Sequence, residues 1–273
     1  IANVVAIGNK KELILSHLKA FKTTPEIIVC ISSFEYEYEA QLKKLVAIQH
    51  LKKSDYAKDP HYMEEIEYYE EDLAKQVRNA ILTSYSESSR FSEYFGAEGK
   101  LDIMRPADLN QYVSSVCFAR YEYTPVINNE MVNKRVLNAQ NLKGRNLAIS
   151  WVLDHAEDLE IPCMEGYGPE VSIFKSVYVF TGLAKSEQVD DQGICRVIGV
   201  IRTFIESAEN NKSSFGELYR ILELPPYGLR KGIVPLFVAY VIRHYKENVI
   251  LYYKSKEVEL SANVLSAIND TPD

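Results

Sequence analysis

The sequence predicts a mostly α-helical protein, with helical domains followed by a C-terminal winged-helix-like domain that carries a β-hairpin wing. Three observations carry this expectation. Most of the chain repeats apolar residues at the three-and-four spacing of a buried helical face. The segment LPPYGLRKG, Leu224 to Gly232, stops one helix hard and leads into another. After Asn248 the period changes from helical to alternating, as a hairpin requires.

The N-terminal segment mixes one helix and one strand. Leu13, Leu15, Leu18 and Phe21 mark a short helix that Pro25 stops. Glu26 to Ser32 is a continuous apolar run, the pattern of a strand buried on both faces. It either pairs with Asn3 to Ile7 or closes a sheet whose remainder lies elsewhere. Next come two charged helices. One covers roughly Glu35 to Lys53, with Leu42, Leu45, Val46, Ile48 and Leu51 expected inward. The other starts at Pro60, capped by Asp59, and runs to Tyr85 with Ile66, Tyr69, Leu73, Val77, Ala80 and Ile81 on one stripe. Its opposite face holds Glu64, Glu65, Glu67, Glu70, Glu71 and Asp72. A solvated face with acid near the helix N-terminus explains that run better than a carboxylate metal site, which lacks matching His or Asp elsewhere.

Polar Ser86 to Lys100 marks a first boundary, so residues 1–90 form one expected unit. A short hairpin around Ala97-Glu98-Gly99 and a helix from Pro106 open the middle domain, 91–190. Tyr121 to Arg135 is dense in amides, which serve turns and caps; a polar contact site using Asn129, Glu130, Asn133 and Arg135 is the sharper alternative. Asn138 to His155 is an amphipathic helix. The turn Glu165 to Glu170 starts another, stopped at Gly182. Lys185 to Gly193 leads into the last domain, 191–273.

That domain opens with a helix, Val197 to Ser207. Ser213 or Ser214 caps the next, with Glu217 in capping-box spacing and Leu218, Ile221 and Leu222 inward. Pro225 and Pro226 end it, since neither donates an N–H. Gly228 permits a turn with positive φ. A further helix starts near Leu229, and its run Ile233 to Ile242 is apolar almost all round, so it is central and buried. Val249, Leu251 and Tyr253 then alternate, Ser255-Lys256 turns the chain, and Val258 and Leu260 return it.

Composition narrows the function classes. The 273 residues hold 31 basic and 38 acidic groups, a net charge of −7, which argues against general nucleic-acid or acidic-membrane affinity. Cys30, Cys117, Cys163 and Cys195 include no short pair, so neither a disulfide framework nor a zinc site is signalled, and reduced cytoplasmic thiols are expected. No apolar run reaches transmembrane length and no signal peptide is recognisable. The chain opens on Ile1 and closes on NDTPD, which suggests a fragment of a longer protein.

The search for chemistry is negative. Gly99-Lys100 lacks the upstream glycine and the following hydroxyl of a phosphate loop, and the glycines at Gly166 and Gly168 belong to a turn. The histidines show no ligand spacing, and no acyl-transfer serine motif occurs. No catalytic, cofactor or metal residue is assigned, and no cofactor is expected.

The order PVINNEMVNKR, a helix, EGYGPEVSIFKSVYVFTGL, then FGELYRILELPPYGLRKGIVPLFVAYVI resembles the C-terminal part of large bacterial P-loop ATPases. These are phage-defence ATPases of the BREX kind and related restriction-associated proteins. The resemblance runs from about Leu101 onward. Its most specific pieces are Asn128-Asn129-Glu130, Gly168-Pro169-Glu170 and Pro226 to Gly232. It implies an ATPase domain upstream in a larger protein, in a system acting on foreign DNA, with ATP bound only there. It transfers no catalytic residue to this chain.

Two functions then compete. The chain is a non-catalytic appendage that docks protein partners or its own subunits, or its winged helix binds DNA. From Val197 to Asp273 basic and acidic residues balance at nine each, so the footprint of a strong DNA binder is missing and docking is favoured. The candidate contact residues are Tyr227, Arg230 and Lys231 near the start of the apolar helix, Arg243 at its end, Lys254 and Lys256 in the hairpin, and Asn129 and Glu130 in the amide-rich loop.

Overall fold

The structure, a computed structural model, describes residues 2–6, 11–18, 26–32, 38–86, 91–155, 159, 164–185, 189–209, 212–253 and 255–270. It is mostly helical with small sheets and divides once, into units 1–117 and 118–273.

In the first unit, β1 (Ala2–Ala6), β2 (Ile27–Ser32), β3 (Ser92–Gly96) and β4 (Gly99–Leu101) form one sheet in sequence order. β1 and β2 run parallel, joined through α1 (Lys11–Leu18), and the later pairs are antiparallel. The strand Ile27–Ser32 therefore pairs with the segment at Asn3, the first of its two expected arrangements. Its alternate residues serve both faces: Ile28 and Cys30 pack with Tyr94 and Leu109, while Val29 and Ile31 pack with Phe95. β3 and β4 complete the sheet begun by β1 and β2, so strands on both sides of the boundary expected near residue 90 lie in the one unit 1–117.

α2 (Glu39–Leu51) and α3 (Pro60–Tyr85) form the expected helical hairpin, with Asp59 accepting from the His61 N–H at 2.9 Å as the cap of α3. α3 buries Ile66, Leu73, Val77 and Ala80. α2 departs from expectation, because none of its residues is buried and Leu42, Val46 and Leu51 are exposed. At 100° per residue, Leu51 lies on the opposite flank of the contact line from Leu42 and Val46. The single neighbouring helix covers only the strip between them. The acidic side of α3 faces solvent apart from Glu70, which pairs with Lys52 at 2.8 Å. α4 (Pro106–Arg120) buries Leu109 against the sheet.

The second unit is helical around one large core. Its elements are α5 (Glu130–Asn133), α6 (Ala139–Asp154), α7 (Pro169–Phe174, continued by a π turn to Val179), α8 (Gln192–Ser207), α9 (Phe215–Glu223), α10 (Val234–Ile242), the antiparallel hairpin β5 (Leu251–Tyr253) and β6 (Lys256–Val258), and α11 (Ala262–Asp270). α10 is the hub, packed against α6, α8 and α11. Val234 to Ala239, Val241 and Ile242 are all buried, leaving only Tyr240 half-exposed. Gly144 lets α7 approach α6, since a Cβ there would sit 2.8 Å from the Pro169 side chain. α11 extends the chain beyond the expected hairpin. Ser261 caps it, accepting from the Val264 N–H at 3.3 Å, and Leu265 and Ile268 are its buried stripe.

Candidate functional site: the Pro225 turn and the cleft beside the hairpin

The hard stop after α9 is built as its sequence dictates. Ser214 caps α9 by accepting from the Gly216 N–H at 3.1 Å. The helix ends at Glu223, and the Pro225–Pro226 bond is cis. Gly228 takes φ of +61°. Its N–H donates to the Leu224 carbonyl at 3.0 Å, and the Leu229 N–H returns to the Leu222 carbonyl at 2.8 Å.

This turn packs against the amide-rich loop, so two segments about a hundred positions apart become one surface feature. The Tyr123 N–H donates to the Pro226 carbonyl at 3.1 Å, and the Thr124 hydroxyl donates to the Tyr227 carbonyl. A Cβ on Gly228 would meet the Tyr121 ring at 2.5 Å, and one on Gly232 would meet the Val132 carbonyl oxygen at 2.4 Å. Tyr227 is half-buried against the core with its ring 6.4 Å from that of Tyr123, over which the Arg196 guanidinium sits at 5.2 Å. Asp191 ties the loop to α8, accepting from the N–H groups of Val126 and Ile194, each at 3.0 Å.

The candidate contact residues meet different fates. Arg230 and Lys231 are exposed beside this aromatic cluster. They lie in the turn before α10 rather than in its first helical turn, because the helix starts only at Val234. Arg243, expected to project outward, is instead 3% exposed. Its guanidinium lies 4.1 Å from the Tyr240 ring centroid, and burial pulls its pKa below the ordinary arginine value. Lys256 is exposed on β6, and Lys254 lies outside the described residues. Asn129 is a buried structural cap. It accepts from the Met131 N–H at 2.9 Å and donates to the Ser176 hydroxyl at 2.9 Å and the Ser172 carbonyl at 3.2 Å, while Glu130 beside it is exposed. These amides serve their own fold, which leaves Asn129 no group to offer a partner.

Sequence reasoning missed a cleft of about 730 Å³ between the C-terminal end of α8, the start of α9 and the residues entering β5. Phe204, Phe215, Ile242 and Leu251 supply apolar walls, and the Phe204 and Phe215 rings lie 5.3 Å apart. On its polar margin the Tyr245 hydroxyl donates to Glu206 at 3.1 Å, and the Lys212 ammonium lies 3.9 Å from the Tyr252 ring centroid. Its apolar lining residues read from sequence as ordinary core positions, so no periodic signal marks them. Among the described residues no group of His, Cys, Asp and Glu is placed to hold a metal ion. No described helix is long and apolar enough to cross a membrane. No protein-family model, curated protein or solved structure matches the chain.

Proposed function

We propose that this chain is a non-catalytic interaction region that docks protein partners or subunits through its second unit. The order α8, α9, α10 and hairpin β5–β6 supports reading that unit as winged-helix-like. The observation that carries docking over DNA reading is the burial of α10. A DNA-reading winged helix turns polar and basic side chains of its second motif helix into the major groove. α10 has only half-exposed Tyr240 to turn outward, and Arg243 at its end points into the core. The rest of the unit offers what protein interfaces use: tyrosines and arginines held on a fixed turn, and an apolar cleft with a polar margin. The sequence resemblance supports reading such a region as the C-terminal part of a larger defence-type ATPase.

The direct DNA-binding reading retains one supporting observation, the exposure of Arg230, Lys231 and Lys256. Selection of short random peptides on the immobilised chain separates the classes. Docking predicts enriched peptides that compete for a common surface on residues 118–273. No enrichment, together with saturable binding of duplex DNA, would move the chain to the DNA-binding class.

A further inference from the structure

We propose that the groove between α2 and α3 is an interface between two copies of this chain, paired face to face about a two-fold axis parallel to the helices. The inference concerns the first unit and does not depend on the docking reading of the second.

The helical hairpin carries more apolar surface than it covers. α2 buries none of its residues, and Leu51 is 42% exposed. On that flank of α2 a groove of about 480 Å³ runs between the helices, lined by Lys44, Ala47 and Ile48 from α2 and by Tyr69, Asp72 and Leu73 from α3. Leu73 is buried and Ile48 half-buried, so they form the floor. Lys44, Ala47, Tyr69 and Asp72 are exposed and form the rims.

The two rims differ in a way that makes the surface complementary to itself. The α2 rim offers a small residue, Ala47, and a cation, Lys44. The α3 rim offers a large residue, Tyr69, which is 53% exposed, and an anion, Asp72. Lys44 and Asp72 form no ion pair among the described residues, and Asp72 accepts from the Gln76 amide at 2.7 Å. Gln49 and Lys52 both reach Glu70, which fixes the register of the antiparallel hairpin. That register sets Lys44 level with Asp72, and Ala47 level with Tyr69, to within about one helical turn.

A two-fold axis parallel to the helices keeps these heights and exchanges the rims, as an isologous contact requires. α2 of each copy then lies on α3 of the other. Lys44 of each meets Asp72 of the other, and each Tyr69 ring packs over the other copy's Ala47. Charge selects this axis over one that crosses the helices. α2 carries two lysines against one glutamate, whereas α3 carries six acidic groups against Lys75 and Arg78. A crossing axis stacks basic rim on basic rim and acidic on acidic, which repels. The parallel axis pairs opposite charges around an apolar floor, the layout of a protein interface.

Analytical ultracentrifugation of the whole chain tests this. The expected result is a monomer–dimer equilibrium with a Kd of about 10 μM or tighter. Lys44→Glu and Asp72→Lys should each weaken it about tenfold or more, because each reversal occurs twice at a two-fold interface. Mixed in equal amounts, the two variants should form a heterodimer at about the parent affinity. In that pairing the introduced carboxylate faces the introduced ammonium, and the native Lys44 and Asp72 face each other. A substitution that merely loosened the hairpin gives no such rescue. A chain that stays monomeric at about 100 μM, a dimer indifferent to both reversals, or a mixture that pairs no more tightly than either variant alone overturns the proposal.

Discussion

Gly228 holds φ of +61° with its Cα facing the Tyr121 ring. Gly228→Ala meets two penalties at once, the left-handed backbone and the close ring, and is expected to lower unfolding free energy by about 1–3 kcal/mol in a urea titration. The positive φ was legible beforehand, because a turn squeezed between Pro226 and a buried helix leaves a glycine little else to do. The fate of Arg243 was not legible. Its place at the end of an apolar helix fits either a solvated or an inward side chain, and only the position of Tyr240 on the same helix surface decides. Buried phenols give a further prediction at this scale. Burial pushes the Tyr178 and Tyr219 hydroxyls well above the ordinary tyrosine value of 10.0. The unfolded chain ionises these groups near the ordinary value, so above it the unfolded state has lost protons that the folded state keeps. Their stabilisation is complete below about pH 10 and declines as pH rises further. Urea midpoints measured from neutral to alkaline pH should fall on that limb, and Tyr219→Phe should flatten the fall.

α10 shows how far an element can be read from composition. An apolar run from Ile233 to Ile242 has no polar face to leave in water, so its central place followed from the sequence. Its start did not, since nothing in Leu229 to Ile233 bars a helix, yet that stretch is spent in turns that seat Gly232 against Val132. Phe237 is completely buried in this helix. Phe237→Ala is expected to cost roughly 3–5 kcal/mol by denaturant unfolding. α2 teaches the converse. Its leucines and valine repeat at helical spacing, but a periodic pattern states only that an apolar arc exists, not that a neighbour is wide enough to cover it. α11 was overlooked although Ser261 and the stripe of Leu265 and Ile268 announce it.

The molecule as a whole divides between Cys117 and Phe118, where composition changes little. Composition marks polar stretches, and two of them lie near residues 90 and 190. Whether a loop separates domains depends on what pairs across it, and the β2–β3 pairing joins strands about sixty positions apart that no local pattern links. The cleft beside β5 was hidden for the same reason, since its walls come from α8, α9 and the hairpin. The candidate site was therefore only partly legible: the Tyr227 to Lys231 turn was found, and the cleft beside β5 was not. The central claim is that the second unit recognises protein rather than DNA. Fluorescence anisotropy of a labelled duplex, titrated with the chain at near-physiological salt, tests it most directly. The account predicts no saturable binding tighter than about 10 μM, with the double variant Arg230→Ala and Lys231→Ala indistinguishable from the parent. Submicromolar binding that this double variant weakens, with the salt slope reduced by about two, would contradict it.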